Sequence, residues 1–342
     1  FFSEQRTQSE KTAQSMQAAT YETPGEDAKI VVGKIAIPKV SEDSVLVKVV
    51  RASINPIDIL IMKKMMPWYM PKGPMVVGYD LSGTVAAVGK NVSEFKAGDA
   101  VFAVQWSTDS SGYHGGEGEP IAGALAEYVV VPANKLSKKP EGLSHSEAAA
   151  ISLVGTTAFE AIDLTNVEEG DVCVVLGGAG AVGAIAIQLL KLKGAKVIAT
   201  CSARSAEYVK GLGADVLVDY NKEDWSQREE LKSGVKWIGA LVSGSGVWEK
   251  SKEFIVDGGA FVEIATMEAN ADKEHRLKHA GFMCLHNDTK VQDQLAALVV
   301  EGKLKVRIAK EWKLTQEDVV SALAVQGSGK SQGKNVFVIS EE

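Results

Sequence analysis

Apolar and polar positions along the chain follow two rhythms, and the change falls near Leu143. Before it, apolar residues come in short alternating runs: "MQAATYE" (16–22), "IVVGKIAIP" (30–38), "SVLVKVVRASI" (44–54), "GYDLSGTVAAVG" (78–89), "AGDAVFAV" (97–104) and "ALAEYVVVP" (124–132). Gly, Asp and Pro punctuate these runs, which predicts short strands forming a compact β-barrel-like unit. A long polar loop at 105–120 interrupts them and carries a lone His114, read as solvated.

After Leu143 the spacing turns helical in "SHSEAAAISLVGTTAFEAI" (144–162), and strands then alternate with helices. "DVCVVLG" (171–177), "AKVIATC" (195–201), "ADVLVDY" (214–220), "WIGALVSG" (237–244) and "GAFVEIA" (259–265) read as buried strands. "AVGAIAIQLLKLKG" (181–194), "SAEYVKGLG" (205–213) and "KVQDQLAALVVEGKLK" (290–305) read as helices. Strands apolar on both faces, separated by helices, predict a doubly wound parallel sheet. The tail "KNVFVIS" (334–340) is expected to return to the first unit. The predicted division is an arm over 1–15, a barrel domain over 16–150 and 288–342, and a parallel-sheet domain over 151–287.

The uncharged stretch "VVLGGAGAVGAIAIQLL" (174–190) is too short and too rich in glycine to span a bilayer, which needs about 20 continuous apolar residues. A net charge of −7, from 44 acidic against 37 basic residues, argues against a nucleic-acid partner. Cys173, Cys201 and Cys284 form no CxxC pair; Cys173 and Cys201 sit in apolar strand-like runs and read as small buried hydrophobes. The chain opens on Phe1 with the polar "FFSEQRTQSEKTAQS", read as the remainder of a processed targeting peptide or a disordered arm. The expectation is an organellar protein, of mitochondrion or plastid, with a cytoplasmic location as the alternative.

Gly178, Gly180 and Gly183 form GxGxxG directly between a predicted strand and a predicted helix. Glycine there permits the tight turn and the close approach of a pyrophosphate, with Ala181 and Val182 opening the helix that receives it. An NAD-binding unit carries an acid about twenty residues on, for the ribose 2′-hydroxyl. Lys196–Ser205 contains none; Ser202 and Arg204 stand there instead, suited to a 2′-phosphate, and point to NADPH. The alternative is that Arg204 is a solvated residue of the next helix.

These segments together resemble the medium-chain dehydrogenase/reductase superfamily, in its zinc-independent quinone oxidoreductase (zeta-crystallin-like) branch. "SINPIDI", "VVGYDLSGTVAAVG", "AEYVVVP", "GTTAFEAI", "GADVLVDY" and "GKNVFVI" carry the likeness. "ATCSAR" (199–204) with "YVKGLGADVLVDY" is most similar to plastid-envelope quinone oxidoreductase homologues and 2-alkenal reductases. "KKPEGLSHSEAAAIS" (138–152) is equally similar to the mitochondrial reticulon-interacting branch. The resemblance implies an α/β fold, a Rossmann sheet plus a GroES-like barrel. Where zinc-dependent members carry Cys and His ligands, this chain has Asn55 and Tyr79, so no metal is expected.

The resemblance further implies Asn55 beside nicotinamide and substrate, as the one catalytic candidate. It implies Thr157 and Lys334 near the cofactor, and Tyr220 beside the 2′-phosphate. After the fourth parallel strand, where relatives often carry an acidic or polar motif such as DxxG, this chain departs with "ALVSGSGVW" (240–248). Ser243 and Gly244 are expected to line the site there through backbone groups instead. Read from the residues alone, Asn55 before Pro56 also fits a turn, and Asp58 fits a structural partner better than an acid. Trp68 and Tyr69, within "IMKKMMPWYMP" (61–71), line an apolar acceptor pocket or belong to the core. The implied activity is NADPH-dependent reduction of quinones or of enones and enals by hydride transfer. The alternatives are an inactive NADPH-binding subunit or assembly factor of an organellar complex, and reduction of enoyl thioesters. A homodimer or membership of a larger assembly is the expected quaternary setting.

Overall fold

The computed structural model describes residues 15–66, 74–105, 123–266 and 276–341. The chain begins with β1 (Ser15–Tyr21), β2 (Val31–Ala36), β3 (Ser44–Ile54), α1 (Pro56–Met62), β4 (Met75–Val76), β5 (Asp80–Val88) and β6 (Ala100–Val104). It continues with β7 (Tyr128–Pro132), β8 (Ser137–Lys138) and the long α2 (His145–Asp163). Alternation follows: β9 (Val172–Leu176), α3 (Ala181–Leu192), β10 (Lys196–Cys201), α4 (Ala206–Gly211), β11 (Val216–Asp219), β12 (Val235–Ala240), α5 (Val247–Ser251), β13 (Ile255–Glu263) and β14 (His279–Phe282). The chain closes through α6 (Thr289–Val300), β15 (Ile308–Lys313), α7 (Gln316–Gly327) and β16 (Lys334–Val338).

Both expected layers are present. β9 to β14 form one six-stranded sheet in the order β11-β10-β9-β12-β13-β14, parallel throughout. Its strands are buried on both faces because helices cover both. Along β9, Cys173 and Val175 pack toward α2 and α3, while Val174 and Leu176 pack with Ile238, Trp248 and Phe261 on the other side. The barrel layer is antiparallel apart from β15 beside β16: β15-β16-β3-β5-β6-β8 with β7 on β3, plus the small sheet β2-β1-β4. β16 pairs with β3, so the C-terminal strand returns to the first layer as its sequence suggests. Val291, Leu295 and Leu304, in and just after α6, contribute to the core of the parallel sheet.

Helix α2 joins the layers. Ser144 caps it: its hydroxyl accepts from Glu147 N–H at 3.2 Å while Glu147 accepts from Ser144 N–H at 3.1 Å. Trp237, wholly buried on β12, donates its indole N–H to Ala161 O at 2.8 Å and fixes the far end of the helix to the sheet. No helix among the described residues is long and apolar enough to cross a membrane.

Candidate functional site

The glycine turn leaves β9 with Gly177 at φ +92°, a left-handed conformation that disfavours any side chain. A Cβ built at Gly183 would lie 2.2 Å from Gly177 O, so only glycine lets α3 close this tightly on the strand. Gly178 N–H donates to Thr200 O at 2.9 Å and Gly180 N–H to Gly177 O at 3.0 Å, which fixes the turn. Unlike α2, helix α3 has no side-chain cap, since its N-cap is Gly180. The first-turn N–H groups, including those of Ala181, Val182 and Gly183, stay open at a helix N-terminus that carries partial positive charge. A pyrophosphate fits this turn on both counts, bare backbone and unfilled donors.

The remaining nucleotide-end candidates lie along the same carboxyl edge of the sheet, the usual ligand edge of such folds. Ser202 follows β10, and its hydroxyl lies 3.3 Å from that of Ser205. Arg204 is exposed and has no charged partner among the described residues. Tyr220 follows β11 on the neighbouring strand, 60% exposed, with its N–H on Cys201 O at 3.4 Å. Ser243 and Gly244 follow β12 and are exposed; Gly244 N–H donates to Thr266 Oγ1 at 3.2 Å. Trp68 and Tyr69 lie outside the described residues, as does His114.

A second cluster is buried where β3, β5, β16 and α2 meet. Asp80, wholly buried at the start of β5, is its centre. Its Oδ2 accepts from Ser53 Oγ at 2.8 Å, Asn55 Nδ2 at 2.8 Å and Lys334 Nζ at 2.9 Å. Its Oδ1 accepts from Leu153 N–H at 2.7 Å. The same single Ser53 hydrogen is shared with Ala149 O, 3.0 Å from Ser53 Oγ. Ala149 C=O and Leu153 N–H are the two groups an uninterrupted α-helix pairs with each other. The barrel therefore grips α2 through its own backbone, one turn before Thr157. Thr157 is buried and donates to Leu153 O at 2.8 Å, which leaves its oxygen lone pairs free.

Lys334 donates to Ile54 O at 3.1 Å and to Asn55 Oδ1 as well as to Asp80, so all three ammonium hydrogens are used. Asn55 thus has its oxygen on Lys334 and one N–H on Asp80, which fixes its amide orientation. It also opens α1, and Asp58 accepts its backbone N–H at 2.7 Å and that of Gly78 at 2.8 Å. Burial pushes the Asp58 carboxyl up to about 7, against the opposing pull of the two N–H groups and of Lys334. Asp58 is the backbone-holding partner that its sequence position suggested.

Several members were not singled out from sequence. Ser53 and Asp80 sit inside motif segments but alternate with apolar residues as ordinary strand positions do; a buried aspartate opening an apolar strand was the available signal. The Leu153 N–H has no sequence signal at all. Asn55 and Tyr79 stand where the family resemblance places the zinc ligands of metal-dependent members. Asp80 next to them already accepts four hydrogen bonds, three of them on Oδ2, and one comes from a buried ammonium that would repel a divalent cation. Among the described residues no three His, Cys, Asp or Glu side chains are grouped to hold a metal ion.

Residues 41–141 match the alcohol dehydrogenase GroES-like domain, and residues 212–337 match the zinc-binding dehydrogenase domain. The chain is 31% identical over 308 residues to a tomato (Solanum lycopersicum) protein named 2-methylene-furan-3-one reductase, covering 89% of this chain and 74% of that one. It is 35% identical to the NADPH-dependent alkenal/one oxidoreductase, chloroplastic, of Arabidopsis thaliana, over 70% of this chain and 60% of that protein's length. The solved quinone oxidoreductase from Coxiella burnetii superposes with a TM-score of 0.80 at 29% identity, covering 96% of this chain and all of that one. With the parallel sheet, the barrel and the glycine turn in place, these matches establish that the chain belongs to the medium-chain dehydrogenase/reductase superfamily, among its quinone oxidoreductases and enone reductases.

Proposed function

We propose that this chain is an NADPH-dependent oxidoreductase that delivers hydride to a quinone or an α,β-unsaturated carbonyl without a metal. The observation that carries this reading is the buried pairing of Asp80 with Lys334. The position beside the zinc-ligand residues of metal-dependent relatives holds a lysine ammonium, not a vacant carboxylate. Chemistry at such a site needs an acceptor electron-poor enough to take hydride without a Lewis acid, which quinones, enones and enals are. The names of the tomato and Arabidopsis relatives and of the bacterial quinone oxidoreductase support this acceptor class, and the Arabidopsis relative's name supports a nicotinamide cofactor.

In this reading the Gly177–Gly183 turn and the start of α3 hold the pyrophosphate, and Ser202, Arg204 and Tyr220 receive the 2′-phosphate. Ser243, Gly244 and Thr157 border the nicotinamide end. The bound nicotinamide supplies the hydride from its C4. Lys334 holds Asn55 in one amide orientation, with the second Nδ2 hydrogen offered to nicotinamide or acceptor oxygen. Lys334 itself does not give up a proton, because its hydrogens hold Asp80, Asn55 and Ile54. The proton that completes the reduction is taken from water. We place the protein in an organelle, as the chloroplastic relative's name suggests for that protein.

Cofactor oxidation by purified protein, followed with NADPH and NADH against quinones, enones and 2-alkenals, tests the proposal. Turnover with NADPH and at least one of these acceptors is expected. Tight NADPH binding with no turnover on any of them would identify a cofactor-holding subunit instead.

A further inference from the structure

Gln332 lies two residues before Lys334, on the segment that enters β16. Its side-chain N–H donates to Ser205 Oγ at 2.6 Å, across 127 positions of sequence. Ser205 is 3% exposed, and its hydroxyl lies 3.3 Å from that of Ser202. A side-chain amide N–H can only donate, whereas a hydroxyl both donates and accepts. Gln332 cannot accept the Ser205 hydrogen, and Ser202 is the other hydrogen-bond partner of Ser205 Oγ among the described residues, so the buried Ser205 O–H is satisfied by donating to Ser202. Ser202 then accepts from Ser205, and its O–H is left to point outward.

We infer that Gln332 sets the direction of a relay, Gln332 to Ser205 to Ser202, so that Ser202 presents a hydrogen-bond donor to a phosphomonoester. A phosphate dianion can only accept, so it needs donors at its seat. A free ribose 2′-hydroxyl is served by a donor or an acceptor alike. Gln332 is therefore a positioning residue for discrimination between the two cofactors, acting from the barrel segment on a loop of the parallel sheet. The inference rests on the NADPH reading above. It adds a residue to that site which touches the cofactor seat only through Ser205.

The test measures binding of 2′,5′-ADP and 5′-AMP, fragments with and without the 2′-phosphate, by calorimetry on the full chain. Gln332→Glu replaces the donor with an acceptor, which turns the relay round. It is expected to weaken 2′,5′-ADP roughly tenfold or more and to leave 5′-AMP unchanged. Gln332→Met removes the donor without adding charge, and Ser205→Ala breaks the relay in the middle. Each is expected to show a smaller loss with the same selectivity. Equal losses for both fragments, or an effect confined to Gln332→Glu, overturn the relay. Wild-type protein binding both fragments equally overturns the NADPH reading and the relay with it. Wild-type preference for 2′,5′-ADP that survives in Gln332→Glu overturns the relay alone.

Discussion

Lys334 Nζ lies 2.9 Å from Asp80 Oδ2, and the two side chains, 3% and 0% exposed, stand 254 residues apart in sequence. The pair closes the C-terminal strand onto β5. Through Asp80 it also reaches Leu153 on α2, the helix that both layers share. A buried ion pair of this kind is weak evidence of net stabilisation, but removing one partner leaves an uncompensated charge.

Lys334→Met is accordingly expected to lower stability by about 3–5 kcal/mol, measured by urea unfolding. Adding Asp80→Asn to that variant removes the orphaned charge and should recover part of the loss. A Lys334→Met protein as stable as wild type would show that the pair does not hold the two segments together.

Gly183→Ala forces a Cβ to within 2.2 Å of Gly177 O, and a backbone oxygen cannot yield as a flexible side chain would. The turn must open, which spoils the pyrophosphate seat. On the proposed reading, the stabilisation that saturating NADPH gives the fold is about 2.7 kcal/mol at a hundred times Kd. In the variant it should vanish while far-ultraviolet circular dichroism still reports a folded protein.

Arg204 is exposed and unpaired among the described residues, so Arg204→Ala should leave unfolding within about 0.5 kcal/mol of wild type. NADPH affinity should fall roughly tenfold or more and NADH affinity should stay as it was, read by cofactor fluorescence titration. Equal behaviour of the two cofactors would assign the 2′-phosphate elsewhere.

Asp58 gives a pH dependence with a definite sign. Its folded carboxyl titrates at about 7 against an ordinary value of 3.8, so the folded state holds the proton more tightly. Its contribution to stability is complete below the ordinary value and is lost as pH rises through about 7. The stability difference between wild type and Asp58→Asn should therefore shrink from about pH 4 to about pH 8. A difference that grows over that range would mean that Asp58 is ionised in the fold.

The glycine turn was legible in the chain because local sequence makes it. A strand, a glycine turn and a helix follow one another within Val172–Leu192, and Ser202 and Arg204 come at the next strand's end. Periodicity is a short-range property, so alternating runs mark the barrel strands, short wholly apolar runs mark the parallel ones, and the order of strands and helices fixes the sheet class. Helix α1 was missed because seven residues after Asn55 are too few to show a helical period.

What the sequence by itself determined is therefore the pair of layers and the glycine turn between β9 and α3. Tertiary structure alone decided which groups share the buried cluster. Ser53, Asn55, Asp80, Leu153 and Lys334 come from four separate segments, and no local pattern encodes their meeting. It decided too that Asn55 faces a carboxylate and an ammonium, and that Gln332 reaches Ser205. The physical reason is that hydrogen-bond direction and charge pairing depend on atoms a few ångströms apart in space, whereas periodicity records only which face of an element meets water.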